Sequence, residues 1–266
     1  MSLPVAVAQF AALADKRHNR AAITGLVASA AAGGARLVVL PENSMWSHPD
    51  TSVDPFTASE NLDGEFTAFL ADLAREHTVW LVCGMTERTE ALGKVHNTLV
   101  VFDDTGKLVT RYRKVHLYDA FGYHESDFVA PGPISEPATF ELDGFRFGIL
   151  TCYELRFPES ARRLAVAGAD ALVLPAAWVA GPMKEDHWIT LLRARAIENT
   201  VYMIAADQTG PTCIGQSTVI DPGGVIVTGA GPAPGRAEAL LDLDRIAAVR
   251  ETTPSLSQRR FEVVAR

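Results

Sequence analysis

Apolar residues recur along this chain in two alternating rhythms: short β-branched runs of strand length, and Ala- and Leu-rich stretches with helical spacing. Val5–Phe10 predicts a strand, Arg17–Ala32 a helix and Leu37–Leu40 a buried strand. Glu65–His77 predicts a helix, because Phe66, Phe69, Leu70 and Leu73 fall on one face at i, i+3, i+4 and i+7. Val79–Gly84, Val95–Phe102 and Leu108–Tyr112 read as strands, the last two joined by the turn Asp103-Asp104-Thr105-Gly106. The order then returns. Phe145–Leu150 predicts a strand, Glu159–Ala167 a helix, Ala171–Leu174 a strand and Met183–Asn199 a helix. Strands are predicted at Val201–Ala206, Gln216–Ile220 and Val225–Thr228, the last two turning at Asp221-Pro222-Gly223-Gly224.

The repetition reaches individual residues. Segment 31–42 (AAGGARLVVLPE) aligns with segment 165–176 (AVAGADALVLPA), with six identities in twelve positions, 134 residues apart. Each reads as a helix end, a Gly-Ala turn and a buried strand closed by proline, which cannot donate to a ladder. Two related halves follow from this. Each half presents a sheet with helices on one face, and stacking the bare faces together buries both. The expected fold is α/β, a four-layer α-β-β-α sandwich built from two pseudo-symmetric halves. No Ser/Pro-rich linker divides them, so residues 1–266 are expected to form a single domain.

Composition narrows the function classes. Of 266 residues 48% are hydrophobic and 21% charged, the ordinary soluble globular mixture, which excludes a disordered or disulfide-framework protein. The net charge of −8, with scattered basic residues, is the wrong sign for phosphate-backbone binding, so no nucleic-acid partner is expected. The longest apolar run outside the first strand, Ala171–Gly181, is interrupted by Pro175 and too short for a membrane helix. The apolar N-terminal stretch lacks a cationic leader and contains Gln9, so it reads as a strand rather than a signal peptide. Cys83, Cys152 and Cys213, an odd set, fit a reducing cytoplasm. A soluble cytoplasmic protein without a membrane partner is the expectation.

Three positions stand out chemically. Glu42 follows the apolar strand Leu37–Leu40 and Pro41, and the carboxyl end of a buried strand is where α/β sheets carry reactive groups; the plain alternative is a solvated loop acid. Cys152 leaves the strand Phe145–Leu150 for a strand-to-helix turn, which exposes a side chain beside backbone N–H groups. Its alternative is an inert buried thiol, the reading that suits Cys83. Lys114 is one of only five lysines, against nineteen arginines. A compact ammonium suits a place beside a thiolate or an oxyanion, whereas its arginine neighbours suggest a solvated strand edge.

Taken together, these contexts resemble the nitrilase superfamily, the carbon–nitrogen hydrolases. Leu40-Pro41-Glu42-Asn43 matches the glutamate signature, Tyr112-Arg113-Lys114-Val115-His116-Leu117 the lysine signature, and the stretch from Leu150 through Thr151-Cys152-Tyr153-Glu154 to Glu159 the cysteine signature. Further matches are His124-Glu125-Ser126, Pro131-Gly132, the block ending at Trp178, His187-Trp188 and Gly215-Gln216-Ser217, so the resemblance spans nearly the whole chain. It implies the same sandwich fold, usual assembly as homodimers or higher homo-oligomers, and no metal or organic cofactor. It also implies Cys152 as nucleophile, Glu42 as general base, Lys114 with the Tyr153 N–H as oxyanion donors, and Glu125 as a fourth member orienting Lys114 or the substrate amide.

Substrate-binding candidates are Arg156, able to grip a carboxylate in bidentate fashion or to pair with Glu159, and Tyr118, Tyr153 and Trp178 as walls or plain core. His116, His124 and Glu125 have no common zinc spacing, and no metal site is expected. His187 reads as structural. Tyr153, where nitrile-hydrolysing relatives carry Trp, favours an amide. The sequence is similar to Nit-type amidases acting on terminal amides of small carboxylates, with two departures: Glu154 for a more usual Asp, and Gln216 for a His, both expected to touch substrate selection. The expected activity is therefore a cysteine-dependent amidase on a small-molecule amide. An N-carbamoyl amide hydrolase, a nitrilase, a cysteine–histidine hydrolase built on His116, and a catalytically silent scaffold are the alternatives.

Overall fold

The computed structural model describes residues 2–48, 50, 52–89 and 93–264. The first sheet uses β1 (Ser2–Gln9), β2 (Leu37–Val39), β3 (Trp80–Arg88), β4 (Val95–Phe102) and β5 (Leu108–Arg113), with α1 (Lys16–Ala32) and α2 (Glu65–His77) as crossovers between the first three. A small hairpin, β6 (Asp119–Ala120) and β7 (Tyr123–His124), leads to the second sheet. That sheet uses β8 (Thr139–Leu142), β9 (Phe145–Ile149), β10 (Ala171–Ala176), β11 (Tyr202–Asp207), β12 (Thr218–Ile220) and β13 (Ile226–Gly229), with α3 (Pro158–Val166) and α4 (Lys184–Asn199) as crossovers. The chain then returns to the first sheet as β14 (Gly235–Asp242) and ends in α5 (Leu243–Thr252) and a tail.

The orders are β14-β1-β2-β3-β4-β5 and β8-β9-β10-β11-β12-β13. In each, the second, third and fourth strands run parallel and the outer neighbours antiparallel. The two similar sequence segments thus supply β2 and β10, which hold the same place in their sheets. The layers follow from strand alternation. On β1, Val5 and Val7 face the second sheet, where they join Leu37, Val39, Val82, Phe145, Phe147, Val173 and Ile204 in one buried cluster. Ala6 and Ala8 face the other way, under Ile23 and Val27 of α1 and Phe66 and Leu70 of α2. Leu172, Leu174 and Met203 likewise meet Leu164 of α3 and Trp188 and Leu192 of α4. Helices lie outside and two sheets inside, the expected four layers.

Several boundaries differ from the sequence reading. β10 does not stop before Pro175: it pairs with β11 through Pro175 and Ala176. Val173 accepts from the Leu150 N–H on the β9 side, so Pro175, two residues on, turns its missing N–H to the same side, beyond the end of β9. No ladder bond is lost. β8 and β14 were not anticipated. β14 pairs with β1 over Ser2–Gln9, yet only Ala237 and Leu241 of it are buried, so its hydrophobic rhythm is thin. Among the described residues, no helix is long and apolar enough to cross a membrane.

Candidate active site

The carboxyl ends of β2 and β9 and the far end of β5 meet over one cleft of about 500 Å³. Glu42 lies three residues past β2, nearly sealed from solvent. Its backbone is clamped by the Gln208 amide, which donates to the Glu42 carbonyl at 2.8 Å, and by the Ser44 hydroxyl on the Pro41 carbonyl at 2.7 Å. Gly84 of β3 makes the approach possible. A Cβ there would sit 2.6 Å from the Glu42 Cα and 2.8 Å from the Pro41 carbonyl oxygen, with only backbone to yield. We expect Gly84→Ala to displace Glu42, lowering ammonia release from amides at least about tenfold and stability by about 1–3 kcal/mol, the usual cost of overpacking. Wild-type turnover and melting would show that the strand can relax around the methyl.

Lys114 follows β5, and its N–H donates to the Asn97 carbonyl on β4 at 2.9 Å. Its ammonium donates to Glu42 Oε1 at 2.8 Å and lies 3.0 Å from Glu125 Oε2. Glu125 is brought back by the β6–β7 hairpin, where its Oε2 accepts the Tyr118 N–H at 2.6 Å. Asn97 Nδ2 joins the two carboxylates, 2.6 Å from Glu42 Oε1 and 3.0 Å from Glu125 Oε1. The second Glu42 oxygen accepts the Ala177 N–H at 2.7 Å. Two buried acids thus share one ammonium and one amide, the arrangement that lets like charges coexist.

Cys152 completes the group: it lines the same cleft as Glu42, close enough that each acts on the other's ionisation. It opens the turn Cys152–Arg156 with φ of +43°, a conformation uncommon for a non-glycine residue, and is 7% exposed. Glu154 fixes that strained corner. Its Oε2 accepts the Thr151 N–H at 2.9 Å, while Oε1 accepts the Tyr112 hydroxyl at 2.6 Å and the Val115 N–H at 3.1 Å. One fully buried carboxylate therefore ties the cysteine turn to the lysine turn. Sequence reasoning gave Glu154 and Gln216 to substrate selection, but neither lines the cleft. Gln216 acts through its backbone carbonyl, which accepts the Trp188 indole N–H at 3.0 Å.

Proton positions follow from these contacts. Burial opposes ionisation of Glu42, but the Lys114 ammonium, the thiol and the Asn97 amide outweigh it and hold the carboxyl below its ordinary range. Burial and the facing Glu42 carboxylate push the Cys152 thiol well up. Burial also works against the Lys114 charge, yet Glu125 and Glu42 keep it protonated far above the usual range. At neutral pH the resting set is a thiol, a carboxylate that can accept its proton, and a fixed cation.

The remaining predicted residues all reach the cleft. Tyr153 packs edge-on to Tyr118 with centroids 5.1 Å apart, and the Trp178 ring carries the Arg156 guanidinium at 4.7 Å. Among the described residues Arg156 pairs with no carboxylate, Glu159 included; its Nη2 lies 3.4 Å from His187 Nδ1. His116 stacks on Phe157 at 4.0 Å and does not line the cleft, which leaves the cysteine–histidine alternative without geometry. Sequence reasoning missed Asn97 and Lys184. A lone Asn within a strand pattern carries no signal, whereas Lys184 was one of five lysines and could have been weighed as Lys114 was.

The comparisons agree with this geometry. The sequence profile of the carbon-nitrogen hydrolase family matches residues 4–251. A deaminated glutathione amidase of Escherichia coli O157:H7 is 40% identical over 258 residues, 97% of each chain, and an omega-amidase, NIT2, of Mus musculus is 34% identical over 273 residues, 97% of this chain and 95% of its own. The crystal structure of Saccharomyces cerevisiae Nit3, a member of branch 10 of the nitrilase superfamily, is 30% identical and superposes with a TM-score of 0.86 over 98% of this chain and 97% of its own. From the profile, the relatives and the shared sandwich, this chain belongs to the carbon–nitrogen hydrolase family, within the nitrilase superfamily.

Proposed function

We propose that the protein is a cysteine-dependent amidase that releases ammonia from the terminal amide of a small carboxylate through a thioester on Cys152. One observation carries the assignment of roles: Glu42, Lys114, Glu125 and Cys152, from four separate stretches of chain, line one cleft, with Lys114 bonded to both carboxylates. An amide carbon is a poor electrophile, so the reaction needs a soft nucleophile, a group that takes and returns a proton, and a positive pole for oxygen.

The sulfur of Cys152 attacks the amide carbon while its proton passes to Glu42. Lys114 and the N–H of Tyr153, in the first turn after the nucleophile, receive the oxyanion. As the intermediate collapses the C–N bond breaks, Glu42 gives its proton to nitrogen, and ammonia leaves. Water then adds to the thioester and passes a proton to Glu42; the C–S bond breaks, and that proton returns to sulfur. Glu125 holds Lys114 in place and, through Tyr118, the adjoining wall.

The relatives named as deaminated glutathione amidase and omega-amidase support an amide that carries a carboxylate, and Arg156, which pairs with no carboxylate among the described residues, offers it a partner. We infer further that residues 1–266 work as one domain, as a homodimer or larger homo-oligomer, in the cytoplasm, where three free buried cysteines are at home. Intact-mass measurement of protein mixed rapidly with succinamate should reveal an acyl adduct on Cys152 of the mass of succinamate less ammonia, with ammonia in solution. An enzyme that yields carbon dioxide with ammonia from N-carbamoyl amides, and no adduct here, would be the carbamoyl hydrolase instead.

A further inference from the structure

Lys184 is buried in a place that suits a cation poorly. It opens α4, where the helix dipole disfavours positive charge, and is 7% exposed. The acids that follow it, Glu185 and Asp186, are exposed, and among the described residues Lys184 pairs with no carboxylate. Its ammonium sits instead in an aromatic corner of the cleft, 4.0 Å from the centroid of Phe121, 5.4 Å from that of Tyr118 and 5.7 Å from that of Trp178, with the Tyr118 hydroxyl at 3.3 Å. Arg156 shares the corner, its guanidinium 4.7 Å from the centroid of Trp178 and 5.9 Å from that of Phe121. Its Nε is buried without a hydrogen-bond partner. Burial and the neighbouring guanidinium hold the Lys184 ammonium below its ordinary range. Of the cleft carboxylates, Glu42 and Glu125 are taken by Lys114, and Asp50 is exposed and bonded to Ser52.

Two cations over one indole, neither paired with a carboxylate among the described residues and one carrying a buried N–H without a partner, are unfavourable unless an anion joins them. We propose that Lys184 is a specificity-determining residue: together with Arg156 it forms a two-cation subsite that grips the carboxylate at the far end of the substrate's acyl chain. This rests on the amidase reading and deepens it. Gripped by both cations in a partly desolvated corner, the carboxylate anchors the chain with its amide directed to Cys152, and a neutral acyl end leaves both cations unanswered. The subsite therefore selects ω-amides of dicarboxylic acids over uncharged amides of equal length.

The test compares succinamate with butyramide, which replaces the distal carboxylate by an uncharged end. For the wild type kcat/KM should favour succinamate at least about a hundredfold. Lys184→Met should cut that ratio at least tenfold, with the loss in KM for succinamate, and Lys184→Arg should restore it to within about threefold. An unchanged ratio in Lys184→Met, whether both amides slow equally or neither does, overturns the proposal. Succinate binding to the Cys152→Ala protein, followed by calorimetry, reads the subsite without turnover. A tenfold weaker Kd on adding Lys184→Met supports it, and equal or absent binding overturns it. A protein that binds succinate in this Lys184-dependent way but never acylates Cys152 would keep the subsite and lose the amidase.

Discussion

Cys152→Ala should abolish ammonia release, at least about 10⁴-fold below the wild type, while the melting temperature stays within a few degrees. Removing a covalent nucleophile leaves only binding and oxyanion stabilisation, and the residual rate of such variants is correspondingly small. The fold has little reason to suffer. The variant keeps the Glu42–Lys114–Glu125 set, with its 2.8 and 3.0 Å contacts, and the Glu154 bonds that shape the turn. What disappears is a thiol whose proton the facing carboxylate holds on sulfur. The same feature says when sulfur becomes nucleophilic. No thiolate is stored at rest, so proton transfer to Glu42 accompanies attack, and Glu42→Gln should fail in acylation as fully as in deacylation. Ammonia assays and burst-phase mass spectra on both variants check this; a Glu42→Gln protein that still builds thioester quickly would rule out one shared base.

Much of the fold was legible because burial writes itself into apolar period. α2, amphipathic over Glu65–His77, has the predicted ends. The repeated strand segments fall at matching places in the two sheets, since a buried parallel strand must be apolar throughout. β14 escaped notice for the converse reason: its inward side is mostly alanine, the exposed Leu240 blurs its alternation, and what holds it is a ladder with β1, at the other end of the chain, that no local pattern encodes. Pro175 misled because proline forbids donation and not strand geometry, and whether its nitrogen faces a ladder partner depends on where the neighbouring strand ends.

The site divides similarly. Glu42, Lys114 and Cys152 were recognisable because each is an unexpected residue type at an element's end. Asn97 was not, because a strand Asn acquires meaning only when two carboxylates arrive from elsewhere. Glu154 stands two residues from Cys152 in sequence, which suggested selectivity. Its contacts run backward into the body, to Thr151, Tyr112 and Val115, and make it the brace between the Cys152 turn and the Lys114 turn. Sequence adjacency to a reacting residue says little about which way a side chain points around a tight turn.

Lys114→Met should damage both activity and stability, and its stability should depend on pH in the opposite sense to the wild type. Losing one oxyanion donor costs about 10²–10³ in rate, and the variant also loses what positions Glu42. Two buried carboxylates are then left without their cation, a change of about 3–5 kcal/mol when one partner of a buried pair is removed. In the wild type the Glu42 carboxyl lies below its unfolded value, so its contribution is complete above that value and fades as pH falls through the folded one. With Lys114 gone, burial dominates, and the Glu42 carboxyl should rise above its unfolded value. The folded state then binds more protons than the unfolded chain, so stability falls as pH climbs through that window. Denaturant midpoints between pH 4.5 and 7.5 should therefore rise for the wild type or stay level, and fall for Lys114→Met. Adding Glu42→Gln removes one of the two stranded charges, so the double variant should regain part of the lost stability at pH 7 and none of the activity. Parallel pH profiles for the single variant and the wild type would mean that these acids are solvated, and that Lys114 is not the charge that makes their burial tolerable.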